Sequence, residues 1–150
     1  MPYRNISKHA LKHGYASGLE WSIAEQLKKL KVPALYEKVK IKYTQPAKVR
    51  TYTPDFILPN GIIVETKGRF TVADRQKHQK IQKLHPDLDI RFVFNNPNAK
   101  IRKGSKTSYA DWCTKNGFKF AQGLIPVAWT KEPANKTSKK LTEGAIIEDE

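Results

Sequence analysis

Apolar residues recur at helical spacing near the start of the chain and at strand spacing through its middle. Ser17-Gly18-Leu19-Glu20 has capping-box spacing, and after it Leu19, Ile23, Leu27 and Leu30 fall on one helical face. Lys28, Lys29 and Lys31 crowd the C-terminal end, so the pattern predicts an amphipathic helix ending before Pro33. Leu35 to Tyr43 alternates. Leu35, Glu37, Val39, Ile41 and Tyr43 share one face and Tyr36, Lys38, Lys40 and Lys42 the other, predicting one strand with a basic outer edge. Thr44 to Arg50 holds Pro46, which cannot sit in a central strand, and reads as a connector or edge segment.

Tyr52 to Gly68 reads YTPDFILPNGIIVETKG. Two apolar runs, Phe56-Ile57-Leu58 and Ile62-Ile63-Val64, flank Pro59-Asn60-Gly61, and Asn-Gly supplies the positive φ angles of a tight turn. The prediction is an antiparallel hairpin. Beyond it, a helix runs from Thr71 or Asp74 to about Leu84, stopped by His85-Pro86, and Leu88 to Phe94 is a strand in which Ile90, Phe92 and Phe94 alternate with Arg91 and Val93. Asn95 to Thr107 is a basic loop, and Thr107 or Ser108 caps a short helix closed by Asn116-Gly117. Phe118, Phe120, Leu124 and Trp129 supply further packing, and Cys113 suits a small core position better than a nucleophile. The order predicts an α/β sheet covered by helices. Residues 17–131 form the domain, 1–16 a flexible basic arm, and 132–150 a disordered tail with an acidic end.

Charge sharpens this picture. The chain of 150 residues carries a net charge of +14, and four acids without a base lie between Glu143 and Glu150. Residues 1–142 therefore hold 28 basic against 10 acidic residues, net +18. So positive a body suits a polyanion, most simply nucleic acid. Candidate phosphate contacts are Arg4, Lys8 and Lys12 on the arm, Arg75, Lys77 and Lys80 on the second helix, and Lys100, Arg102, Lys103 and Lys106 on the loop. One cysteine rules out a disulfide framework and fits a reducing, cytoplasmic setting. No run approaches the roughly 20 apolar residues of a membrane span.

The hairpin brings chemistry into that positive field. Strand alternation puts Glu65 and Lys67 on one face, and the turn returns them beside Asp55 at the start of the first strand. Two carboxylates and an ammonium at one end of an apolar hairpin make a hard-cation site with a proton-handling neighbour. The plainer alternative is an exposed ion pair worth about 0–1 kcal/mol with Asp55 as a turn residue. Glu20, at the border of its helix's apolar face, reads locally as the capping-box glutamate.

Pro54-Asp55, nine residues, then Glu65-Thr66-Lys67 resembles the PD-(D/E)xK motif of restriction-endonuclease-like nucleases. Ser17-Gly-Leu-Glu20, Tyr52-Thr-Pro-Asp-Phe, Leu58-Pro-Asn-Gly-Ile, Val64-Glu-Thr-Lys-Gly, His85-Pro-Asp-Leu-Asp-Ile-Arg, Lys103-Gly-Ser and Thr107-Ser-Tyr resemble the phage endonuclease I family of Holliday-junction-resolving enzymes, from about Ser17 to Pro133. The resemblance implies a restriction-endonuclease-like mixed sheet in an intertwined homodimer, with residues 44–50 crossing between subunits. It implies Glu20, Asp55, Glu65 and Lys67 as catalytic residues. It also implies one or two Mg²⁺, with Mn²⁺ as substitute, held by Asp55, Glu65, Glu20 and the Thr66 carbonyl. The substrate implied is branched DNA, above all four-way junctions, cut to 5′-phosphate and 3′-hydroxyl ends in the cytoplasm of a phage's host. Two alternatives stay open on the residues themselves: a related nuclease of ordinary duplex or ends, and a non-catalytic architectural DNA-binding protein.

Overall fold

A five-stranded mixed sheet with an apolar stripe on each face sets the architecture. The computed structural model describes residues 17–45, 48–143 and 146–147; the basic arm with Arg4, Lys8 and Lys12 lies outside them. The elements are α1 (Gly18–Lys29), β1 (Leu35–Tyr36), β2 (Val39–Gln45), β3 (Lys48–Tyr52), β4 (Phe56–Ile57), β5 (Ile62–Lys67), α2 (Val72–Leu84), β6 (Asp89–Phe94), α3 (Tyr109–Asn116), β7 (Lys119–Gln122), α4 (Val127–Lys131), α5 (Lys136–Glu143) and β8 (Ile146–Ile147). The main sheet runs β1-β4-β5-β6-β7, antiparallel up to β5 and parallel from β5 to β7. A smaller sheet runs β3-β2-β8.

Strand alternation sorts the core. Leu19, Ile23 and Leu27 of α1 pack on Ile62, Val64 and Val93 of one face, together with Ile125 and Trp129. Ile63, Ile90, Phe92 and Phe94 point to the other face, against Ile81 of α2, Trp112 of α3 and Val39, Ile41 and Tyr52 of the small sheet. Each such fully buried side chain contributes about 1.5–3 kcal/mol. The predicted caps form. Ser17 accepts from the Glu20 N–H, Thr71 and Asp74 complete a capping box on α2, and Ser108 and Asp111 complete one on α3. Burial pushes the Cys113 thiol up to about 12, which keeps it an inert core residue.

The structure differs from the sequence expectation in four places. Leu35 to Tyr43 is two strands in different sheets, not one. The chain breaks at Glu37, whose φ of 47° is left-handed, and Leu35 faces solvent. Most of the stretch expected as a connector or edge segment is paired strand: Thr44 and Gln45 end β2 and Lys48 begins β3, antiparallel with Gln45 opposite Lys48, and β3 takes the edge of the small sheet. Only Gly61 in the hairpin turn has a positive φ. Pro59 starts a turn closed by Gly61 N–H to Leu58 O at 2.9 Å, and Asn60 instead uses its side chain, accepting from Ile62 N–H and donating to Trp129 O.

The fourth difference is the tail, where residues 136–143 form α5 and dock on that turn. Ser138 Oγ donates to Gly61 O at 2.7 Å and accepts from Asp89 N–H, while Asn135 N–H donates to Asn60 O. Ahead of it, buried Arg91 is gripped by Asp89 and Glu132 and stacks 5.2 Å from the Trp129 ring. Polar residues that read as solvated tail thus satisfy main-chain groups of the hairpin.

Candidate active site

The hairpin delivers its carboxylates as its spacing requires. Phe56 opposes Val64 and Ile57 opposes Ile63, so Asp55 stands at the level of Glu65 and Thr66. Asp55 Oδ2 accepts from the Thr66 N–H at 2.8 Å and from its hydroxyl at 2.9 Å. Glu65 lies behind it, 3% exposed, on the face that carries Tyr52. Burial and the Asp55 charge hold the Glu65 carboxyl well above the usual carboxylate range. The same burial, with Glu65 alongside, pushes the Tyr52 phenol up.

Lys67 closes the strand. Its ammonium lies 3.4 Å from Asp74 Oδ1 at the start of α2. Burial opposes its charge, but Glu65, Asp74 and Asp55 outweigh burial and raise it above an ordinary lysine. Lys67 is therefore a charged donor at neutral pH.

Glu20 arrives from the first turn of α1. Its backbone N–H donates to the Ser17 cap, and its carboxylate reaches the site. The Tyr36 hydroxyl donates to Glu20 Oε2, and burial together with Asp55 raises the Glu20 carboxyl to about 7. One carboxylate oxygen from each of Glu20, Glu37 and Asp55 lies within 4.8 Å of the others. Glu37 is placed by the same break that splits the predicted strand: its N–H donates to Asp55 O at 3.2 Å, and its left-handed φ turns the chain toward the cluster. This donor set is hard oxygen throughout, with more negative charge than one lysine can balance, and it fits a divalent cation.

Sequence spacing identifies Asp55, Glu65 and Lys67 as neighbours, and the structure places them so. Glu37, Tyr36 and Asp74 are site residues the linear pattern misses. Thr71-x-x-Asp74 carries only a capping signal, and nothing in the alternation marks Glu37 as a break.

The basic candidates divide. Lys80, Lys100, Arg102, Lys103 and Lys106 are exposed, and Lys77 is half-buried over the Tyr52 ring. Arg75, expected to face DNA, is instead buried. Its Nη1 donates to Phe70 O at 2.6 Å and to Ile101 O at 3.3 Å, which ties the basic loop to α2 and leaves no face for a phosphate. No helix among the described residues is long and apolar enough to cross a membrane.

Residues 1–146 match the sequence model of the family described as Phage endonuclease I. The chain is 51% identical over 119 residues to Endonuclease I of Escherichia phage T7, covering 79% of this chain and 80% of that relative. It is 50% identical over 119 residues to Endodeoxyribonuclease 1 of Enterobacteria phage T3, covering 79% of this chain and 78% of that relative.

Proposed function

From the premise that this chain belongs to the phage endonuclease I family, and so is a nuclease, we propose that it resolves four-way junctions and other branched DNA by metal-dependent phosphodiester hydrolysis, leaving 5′-phosphate ends. The observation that carries this reading is the gathering of Glu20, Glu37 and Asp55 oxygens beside Lys67 in a chain of net charge +14. An acidic pocket in so basic a body suits a site that binds a cation while the surface around it binds phosphates.

Asp55, Glu65 and Glu20 would hold Mg²⁺ or Mn²⁺, with the Thr66 carbonyl and Glu37 as further oxygens. A bound divalent ion supplies positive charge and Lewis acidity at the phosphoryl group. The chain's own residues do the rest. Thr66 fixes the Asp55 carboxylate with two hydrogen bonds, so its free oxygen is presented in one direction. Lys67, held charged, orients a water as a hydrogen-bond donor and offsets charge building on the phosphoryl oxygens. Tyr36 steadies Glu20. Exposed lysines on α2 and the 100–106 loop track the backbone by charge and shape rather than by sequence.

A four-way junction must be cut on two strands, and one chain carries one such site, so a two-fold homodimer is the working unit. The test is incubation with a synthetic four-way junction and a matched linear duplex, with Mg²⁺ and with EDTA. Preferential, EDTA-sensitive cutting of the junction is expected. Equal cutting of the duplex would replace the junction reading with that of a general duplex nuclease.

A further inference from the structure

Asp74 divides its two carboxylate oxygens between two tasks. Oδ2 accepts from the Thr71 N–H and the Thr71 hydroxyl, both at 3.0 Å, while the Asp74 N–H donates back to Thr71 Oγ1 at 3.1 Å. That closes the capping box of α2 and uses only one oxygen. Oδ1 is left facing Lys67 Nζ at 3.4 Å. The two side chains are 25% and 19% exposed, so the contact is partly shielded from solvent.

The geometry matters because of what Lys67 would otherwise do. Its stem is flexible, and a lysine carries about 2 kcal/mol of rotamer entropy. Its other acidic neighbours are Glu65 and Asp55, the carboxylates assigned to the cation. An ammonium with no further anchor collapses onto those two and competes with the ion for their oxygens. Asp74 offers a third carboxylate, carried by a different element, the first turn of α2. It cannot follow the lysine inward, because the cap pins Oδ2 to the first turn of a 13-residue helix.

We infer that Asp74 is a positioning residue for Lys67: the capped first turn of α2 draws Nζ off the Asp55–Glu65 pair and holds it at the mouth of the site, where it meets a phosphoryl group. The inference rests on the nuclease reading of the site.

Asp74→Asn keeps a capping acceptor and removes the charge. It is expected to lower the single-turnover rate of junction cleavage about 10- to 100-fold while junction affinity, measured in EDTA, stays within about 3-fold. Mn²⁺ affinity, followed by electron paramagnetic resonance on the DNA-free protein, should weaken about 3- to 10-fold as Lys67 falls back on the carboxylates. Asp74→Glu, with a residue common at this cap position, should recover most of the rate. Asp74→Ser, which caps but cannot reach Lys67, is the second variant and carries the same expectation as Asp74→Asn. Thr71→Ala is the control: it removes only the hydroxyl arm of the cap and should lower Tm, yet leave the cleavage rate within about 2-fold, because the backbone N–H of residue 71 still holds Oδ2 and Oδ1 still faces Nζ.

Wild-type cleavage and Mn²⁺ affinity in Asp74→Asn would overturn the inference. So would a Thr71→Ala loss equal to that of Asp74→Asn, since the effect would then belong to the cap. Lys67→Ala separates the two levels of the argument. If it cleaves at the wild-type rate, the reading of the site fails. If it is inactive while Asp74→Asn is unaffected, only the positioning role fails.

Discussion

One oxygen of Asp55 takes both the backbone N–H and the hydroxyl of Thr66, at 2.8 and 2.9 Å, across the mouth of the hairpin. Neither residue is among the basic candidates for phosphate contact. Asp55→Ala and Glu65→Ala should therefore lose Mg²⁺-dependent cutting by at least about 100-fold and still bind junctions within a few-fold of wild type. Gel-shift and single-turnover assays on the same preparations check both halves. Cutting at the wild-type rate in either variant would remove the cation-site assignment.

The split among the basic residues is measurable by salt. Lys80→Ala and Lys100→Ala, both at exposed positions, should each reduce the log–log salt slope of junction binding by about 0.9 per lost phosphate contact, with Tm unchanged. Arg75→Ala removes hydrogen bonds to Phe70 O and Ile101 O. It should lower stability by about 1–3 kcal/mol and leave the slope alone. A slope change for Arg75→Ala in still-folded protein would contradict its buried placement.

Glu20 and Asp55 meet within one chain here, and β2 and β3 return as a hairpin. An exchanged dimer opened at that hairpin would form the same set between chains. A heterodimer of one Glu20→Ala chain and one Lys67→Ala chain distinguishes the two. With crossed sites both lesions share one site, the other is whole, and a junction is nicked on one strand. With uncrossed sites neither is intact. Two affinity tags isolate the heterodimer, and complete inactivity would exclude crossing.

His78 is fully buried between Tyr52 and Phe92, with no hydrogen-bond partner on either ring nitrogen among the described residues. Burial, then Lys67, lowers it to about 3 from an ordinary 6.5. The unfolded chain takes up that proton near pH 6.5 and the folded chain does not until about pH 3, so stability is lost as pH falls from 6.5 toward 3. The slope from this one group is about 1.4 kcal/mol per pH unit. Between pH 7.5 and 5, urea unfolding of wild type should lose about 2 kcal/mol more than that of His78→Leu. Parallel pH profiles would show that the ring is protonated in the fold.

Gly61 has a φ of +90°, and a Cβ there would lie 2.8 Å from Lys139 N and 3.0 Å from Asn135 O. Both obstacles are backbone, so neither can swing aside. Gly61→Ala should cost about 2–4 kcal/mol in urea unfolding and expose the α5 amides to hydrogen exchange. A change under about 0.5 kcal/mol would mean that α5 is not seated on the turn.

Much of this protein is determined by its sequence alone. The spacing of Leu19, Ile23 and Leu27 makes α1 and its buried face, and the two apolar runs around Pro59-Asn60-Gly61 make the hairpin. Asp55, Glu65 and Lys67 converge because a hairpin and a two-residue period leave them nowhere else to be. Those are local relations, set by backbone periods a few residues long. The tertiary structure decided what depends on distant partners. It brought Glu37 and Glu20 onto Asp55, put Asp74 beside Lys67, and buried Arg75 against the carbonyls of Phe70 and Ile101. It turned a polar tail into a helix whose Ser138 bonds to Gly61, 77 residues away. Periodicity states which face of an element is buried, but a carboxylate or guanidinium reads the same whether its partner is water, a phosphate or a carbonyl brought up by a remote segment.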